Sequence, residues 1–66
     1  MSIEIKERIL RLPEVKERTG IGRTSIYMWM QDGKFPQSIH LGGRAVGWLE
    51  SEIDAWIESR IQKRAA

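Results

Sequence analysis

The 66-residue chain has no cysteine, a single histidine, two prolines and no long apolar run. Each shortage closes off a class of chemistry. Without cysteine there are no disulfides and no thiolate nucleophile, which suits a reducing compartment. His40 alone cannot assemble a zinc site or serve as the base for a nucleophile. Ser38 lies close to His40, but on a strand both would point to one side, with no third group to orient them and no oxyanion donors. The Gly42-Gly43 pair lacks the strand-to-helix context and the lysine of a phosphate loop. The expectation is therefore a protein that is not an enzyme, with no cofactor, no metal and no small-molecule substrate. Charges at Glu4, Lys6, Glu7 and Arg8 fall where a signal peptide would be apolar, and nothing is long enough to span a bilayer. A soluble, cytoplasmic chain with no membrane partner is expected.

A chain this short forms one domain and buries only about 60% of the surface its unfolded form exposes, so every large apolar group matters to the core. Trp29, Trp48 and Trp56 are the largest such groups and are expected to be structural. The net charge of +2 is mild, but its distribution is informative. Basic and acidic residues nearly cancel over residues 1–19 and over 50–66. The middle carries Arg23, Lys34 and Arg44 against Asp32 alone, as expected if one face meets phosphates.

The stretch from Gly20 to Gly33 organises the rest. With Gly22 as N-cap, Ile21 and Ile26 stand at the spacing of a hydrophobic staple, and Gly33 supplies the left-handed residue that ends many helices. At 100° per residue Ile26, Trp29 and Met30 share one side, while Arg23, Thr24, Tyr27, Met28 and Gln31 spread over the other. That outer set suits a DNA major groove: arginine donates twice to a guanine edge, glutamine pairs with adenine, and methyl groups of threonine or methionine touch thymine. Just upstream, Pro13 suits the first position of a short helix carrying Glu14 and Val15, closed by Thr19-Gly20. Two short helices around a glycine turn make a helix-turn-helix candidate.

Downstream, Pro36 forces extended geometry after Gly33. Ile39 and Leu41 alternate with Ser38 and His40, Gly42-Gly43 offers a turn, and Val46 and Trp48 alternate again, which predicts a β-hairpin with Arg44 near its tip. Such a hairpin has the layout of a wing that leans on the DNA backbone or enters the minor groove. A last helix begins near Glu50-Ser51, where Ser51 and Asp54 fit a capping box. Leu49, Ile53, Trp56, Ile57 and Ile61 recur on its apolar face. Residues 1–8 lack a capping signal and read as a flexible arm or a short edge strand, residues 9–62 as the domain, and residues 63–66 as a tail.

Arg11-Leu12-Pro13-Glu14-Val15, Thr19-Gly20-Ile21, Arg23-Thr24-Ser25-Ile26-Tyr27, Gly33-Lys34-Phe35-Pro36 and above all the block from Leu41-Gly42-Gly43-Arg44 to Asp54-Ala55-Trp56-Ile57 resemble the AlpA family of prophage regulators. The resemblance runs from about Arg11 to Arg60. It implies a small, mainly α, winged helix-turn-helix with one β-hairpin, related to MerR-type DNA-binding domains and to phage excisionases. Members act as transcription regulators in prophages and other mobile elements, and excisionase relatives bend DNA during recombination. The recognition helix would be Arg23 to Gln31 and the wing Ile39 to Trp48. Two positions depart from the family pattern. Met28 stands where a basic or polar residue is common, and Gly22 where a serine often caps the helix.

The reading that follows is a sequence-specific regulator of phage or mobile-element origin that binds double-stranded DNA. Arg23, Thr24, Tyr27, Met28 and Gln31 would enter the major groove, Ser25 and the helix N-terminus would hold a phosphate, and Lys34, His40 and Arg44 would anchor the wing side. One small domain contacts little DNA, so self-association on DNA is expected. An excisionase-like bending factor that recruits an integrase is the alternative within the same class, and RNA polymerase is a further partner open to a regulator. An antirepressor or inhibitor that binds protein through Tyr27 and Met28 is the alternative from another class.

Overall fold

The computed structural model describes residues 6–64. In chain order it contains β1 (Ile9–Leu10), α1 (Leu12–Thr19), α2 (Arg23–Gln31), β2 (Ile39–Gly42), β3 (Ala45–Leu49) and α3 (Glu50–Arg64). The strands form one antiparallel sheet in the order β1-β3-β2. This is the mainly helical, hairpin-bearing winged helix-turn-helix that the residue pattern predicts. No helix among the described residues is long and apolar enough to cross a membrane.

Local chemistry explains the two short helices. Pro13 occupies the second position of α1, where a missing N–H costs no intrahelical bond. Gly20 ends α1 at φ 73°, its N–H donating to the Lys16 carbonyl at 2.8 Å. The Thr19 hydroxyl donates back to the Val15 carbonyl and accepts from the Ile21 N–H, which ties the turn between the helices. Gly22 is the N-cap of α2. At its far end Gly33, at φ 72°, donates to the Met30 carbonyl and Lys34 to that of Trp29, the paired bonds of a Schellman ending.

The hairpin turns at Gly43-Arg44 and is irregular, since His40 pairs with Val46 but Gly42 with Ala45. Leu41 is thus the extra residue of a bulge and is exposed. The expected edge strand lies later than residues 1–8: Ile9 pairs with Leu49 and Leu10 with Trp48, which makes β3 the central strand. Gly47 shows how close β1 comes, because a Cβ there would overlap the Ile9 side chain and stand 3.0 Å from the Leu10 carbonyl.

One residue from nearly every element meets in the core: Leu10, Val15, Ile26, Phe35, Trp48 and Ile53 are buried. Trp48 is the largest of them, with no exposed surface, and its indole donates to the Pro36 carbonyl at 3.1 Å. Trp29 and Trp56 are only half-buried, with ring centroids 6.2 Å apart. The Trp56 indole donates to the Lys34 carbonyl at 2.9 Å.

The start of α3 departs from expectation. Leu49 closes β3 instead of lying on the helix, and Ser51 does not cap with Asp54. A carboxylate from 44 residues upstream does so: the Glu7 side chain accepts from the Ser51 N–H at 3.1 Å and from its hydroxyl at 2.6 Å. The Arg8 carbonyl takes the Glu50 N–H. Asp54 instead meets Arg18, which also holds Glu50. The predicted arm therefore divides. Residues 1–5 lie outside the described residues, whereas Glu7 and Arg8 secure the first turn of α3. Ile61 is the other difference, since it is 55% exposed and not part of the packed face. At the C-terminus α3 continues to Arg64.

The Ser51 bonds hold the Glu7 carboxyl below the ordinary glutamate range. A folded-state value lower than the unfolded one adds stability above the unfolded value and loses it as pH falls through the folded one. Thermal melts of the parent and of Glu7→Gln should therefore differ at neutral pH and converge as pH drops through the glutamate range. A difference independent of pH would show that the carboxylate charge does not cap α3.

Candidate nucleic-acid interface

The outward face of α2 is assembled as its spacing predicts. Ile26 is fully buried and Trp29 and Met30 half-buried, while Arg23, Thr24, Tyr27, Met28 and Gln31 are exposed. Met28 leaves 55% of its surface open. Ser25 is half-buried on the first turn. No side chain caps α2 at Gly22 and no acid stands in its first turn, so its leading N–H groups and positive dipole end remain available to an anion.

The face is braced from below. Tyr27 meets the edge of Trp48 in a T-shaped contact, with centroids 6.3 Å apart, and the Arg23 guanidinium sits 5.7 Å from the Tyr27 centroid. That distance is within cation–π range. Arg23 is thus presented on an aromatic ring that itself rests on the largest core residue. This surface offers hydrogen-bonding groups on Arg23, Thr24, Tyr27 and Gln31, the methyl group of Thr24 and the thioether of Met28.

The hairpin supplies Arg44 in its exposed turn and His40 exposed on β2. Arg11 joins it in a way sequence spacing gives no means to foresee. From the N-cap of α1 its Nε donates to the Val46 carbonyl at 3.0 Å, 35 residues away. Lys34 stands elsewhere: its carbonyl is held by the Trp56 indole, and the residue lines a groove against α3. Of the nine predicted residues, the structure places eight on α2 or the hairpin, seven of them exposed and Ser25 partly covered, with Lys34 beside α3.

Ion pairing separates the charges. Arg8 pairs with Glu14 at 2.7 Å and approaches Glu50 at 3.7 Å, and Arg18 pairs with Glu50 and Asp54 at 2.7 and 2.6 Å. These exposed pairs add little stability singly, but they gather carboxylates where α1 meets α3. Among the described residues Arg23, Lys34 and Arg44 take part in no ion pair.

Comparison with known proteins places this arrangement among others. The family model described as "Prophage CP4-57 regulatory protein (AlpA)" matches residues 8–61. The ORF88 protein of Enterobacteria phage P4 is 46% identical over 59 residues, which cover 89% of this chain and 67% of that protein. The DNA-binding transcriptional activator AlpA of Escherichia coli (strain K12) is 46% identical over 61 residues, covering 83% of this chain and 87% of its own.

Proposed function

Because the chain belongs to the AlpA family of prophage regulatory proteins, we propose that it is a sequence-specific DNA-binding transcription regulator whose α2 enters the major groove and whose hairpin meets the backbone or minor groove. The observation that carries this reading is the outward face of α2: five side chains able to read base edges, all exposed, on a helix fixed to the core by Ile26 and through Tyr27 by Trp48. Arg23 and Gln31 pair with base edges there, while Thr24, Tyr27 and Met28 make apolar and polar contacts. Ser25 and the uncapped N–H groups of α2 receive a phosphate. Arg44, His40 and Arg11 follow the backbone beside the hairpin and set the register of the helix without reading sequence. The similarity to an E. coli protein named as a DNA-binding transcriptional activator supports the same partner.

The hairpin's part is testable alone. Arg44→Ala should weaken binding to every duplex alike and reduce the slope of log affinity against log salt by about 1, as loss of one phosphate contact does. Gel shifts on DNA from upstream of the protein's own gene and on scrambled DNA would measure both. A loss confined to the upstream DNA would make Arg44 a base reader, and no loss on either would remove the hairpin from the interface.

A further inference from the structure

A second surface lies on the α3 side of the molecule. Trp29, Trp56, Ile57 and Ile61 line an open groove of about 580 Å³ between α2 and α3. Ile61, 55% exposed, extends its apolar floor one helical turn beyond Ile57. Arg18, Lys34, Arg60 and Arg64 stand around the groove, and among the described residues no acidic one lines it. Arg18 already serves Glu50 and Asp54. Lys34, Arg60 and Arg64 make no ion pair among the described residues. Arg60 is held in place over the Trp56 ring, its guanidinium 4.8 Å from the centroid, and donates weakly to the Lys34 carbonyl.

We propose that this groove is the docking site for an acidic, amphipathic helical segment of a partner protein. The floor calls for apolar side chains at helical spacing, since Ile57 and Ile61 form a stripe along α3 of the kind that helix-in-groove recognition uses. The surrounding cations come from α1, the loop after α2, and two turns of α3. Charges so dispersed match carboxylates spread along a chain better than one compact anion. Tryptophan and arginine together are also the residues on which binding energy concentrates in protein interfaces. An apolar floor of this kind gives a nucleic-acid backbone nothing to bond. Arg23, Thr24, Tyr27, Met28, Gln31 and Arg44 are all absent from the groove lining, so a partner seated here leaves the proposed DNA face open, and the protein can join the two.

The peptide titrations use the ¹⁵N-labelled full chain without DNA, so their outcome is independent of the DNA-binding reading. The three indole N–H signals are followed during titration with a synthetic peptide that repeats leucine at helical spacing among glutamates. Controls are its lysine-for-glutamate counterpart, a polyglutamate peptide and a DNA duplex. Saturable shifts of Trp29 and Trp56 with the first peptide, while the buried Trp48 signal stays in place, are the expected result. Arg64→Glu and Ile61→Asn, both at exposed positions, should each weaken that peptide, with the pair of changes lowering affinity by about tenfold. No shift with the acidic amphipathic peptide overturns the proposal, as do equal shifts with the lysine or polyglutamate peptide. A shift of the α3 indole of Trp56 with the duplex, and none with the acidic peptide, would assign the groove to nucleic acid. Shifts that follow protein concentration without any peptide, and that the peptide does not displace, would assign it to a second copy of the chain.

Discussion

Trp48→Ala should abolish the cooperative thermal transition or lower its midpoint by at least about 12 °C. Trp48 has no exposed surface and contacts the core from the central strand. Emptying such a site costs about 3–5 kcal/mol, and each kcal/mol shifts the midpoint of a domain this size by roughly 4–8 °C. The total stability expected for such a chain is only roughly 3–10 kcal/mol. Trp48→Phe should do less harm, because the ring fills part of the volume while the bond to the Pro36 carbonyl is lost. Circular dichroism melts of the three proteins decide the matter. A Trp48→Ala midpoint within a few degrees of the parent would contradict the core described above. Trp48 also supports Tyr27, so even a folded Trp48→Phe chain should present α2 less rigidly and bind DNA more weakly.

Arg23→Ala should lower affinity for the specific DNA site by about 1–3 kcal/mol, a factor of roughly five to 150, and relax the preference at one base pair. The loss should be smaller on scrambled DNA, where only a charge is removed. Arg23 lies against Tyr27, so the two act as a unit. The double change Arg23→Ala with Tyr27→Ala should cost less than the two single losses added together. Binding measured on the site and on a set of single-base variants tests both statements. Unchanged affinity and preference would mean that α2 faces DNA by another side or not at all.

How much of this was readable from residues depends on the range of the interaction. Gly20, Gly22 and Gly33 mark helix ends through their own backbone, and Pro13 and Gly43 act equally locally, so α1, α2 and the hairpin stand where spacing puts them. The outer face of α2 is legible for the same reason: helical periodicity sorts Ile26 from Arg23, Thr24 and Gln31. The cap on α3 was not legible. Ser51 and Asp54 have the right spacing, but Glu7 and Arg18 arrive from β1's approach and from α1 and take their hydrogen bonds. Local pattern cannot announce a competitor 44 residues away. Ile61 follows the same logic, since periodicity assigns it to the apolar face of α3 but only a facing element could cover it, and it stays 55% exposed. Arg11 reaches the hairpin because β1 inserts beside β3 and brings the start of α1 with it. Lys34 carries the charge of a DNA contact, yet the Schellman turn after α2 and the Trp56 indole direct its backbone towards α3.

The most direct test of the central claim is fluorescence-anisotropy binding to DNA from upstream of the protein's own gene and to scrambled DNA, each over a salt series. A DNA-binding regulator predicts tighter binding to the upstream DNA. It also predicts affinity that falls with salt at a log-log slope of roughly −4 to −5, corresponding to roughly four to six phosphate counterions released per bound copy. Folded protein that binds neither DNA at low salt would contradict the claim and turn the exposed face of α2 into a surface for some other partner.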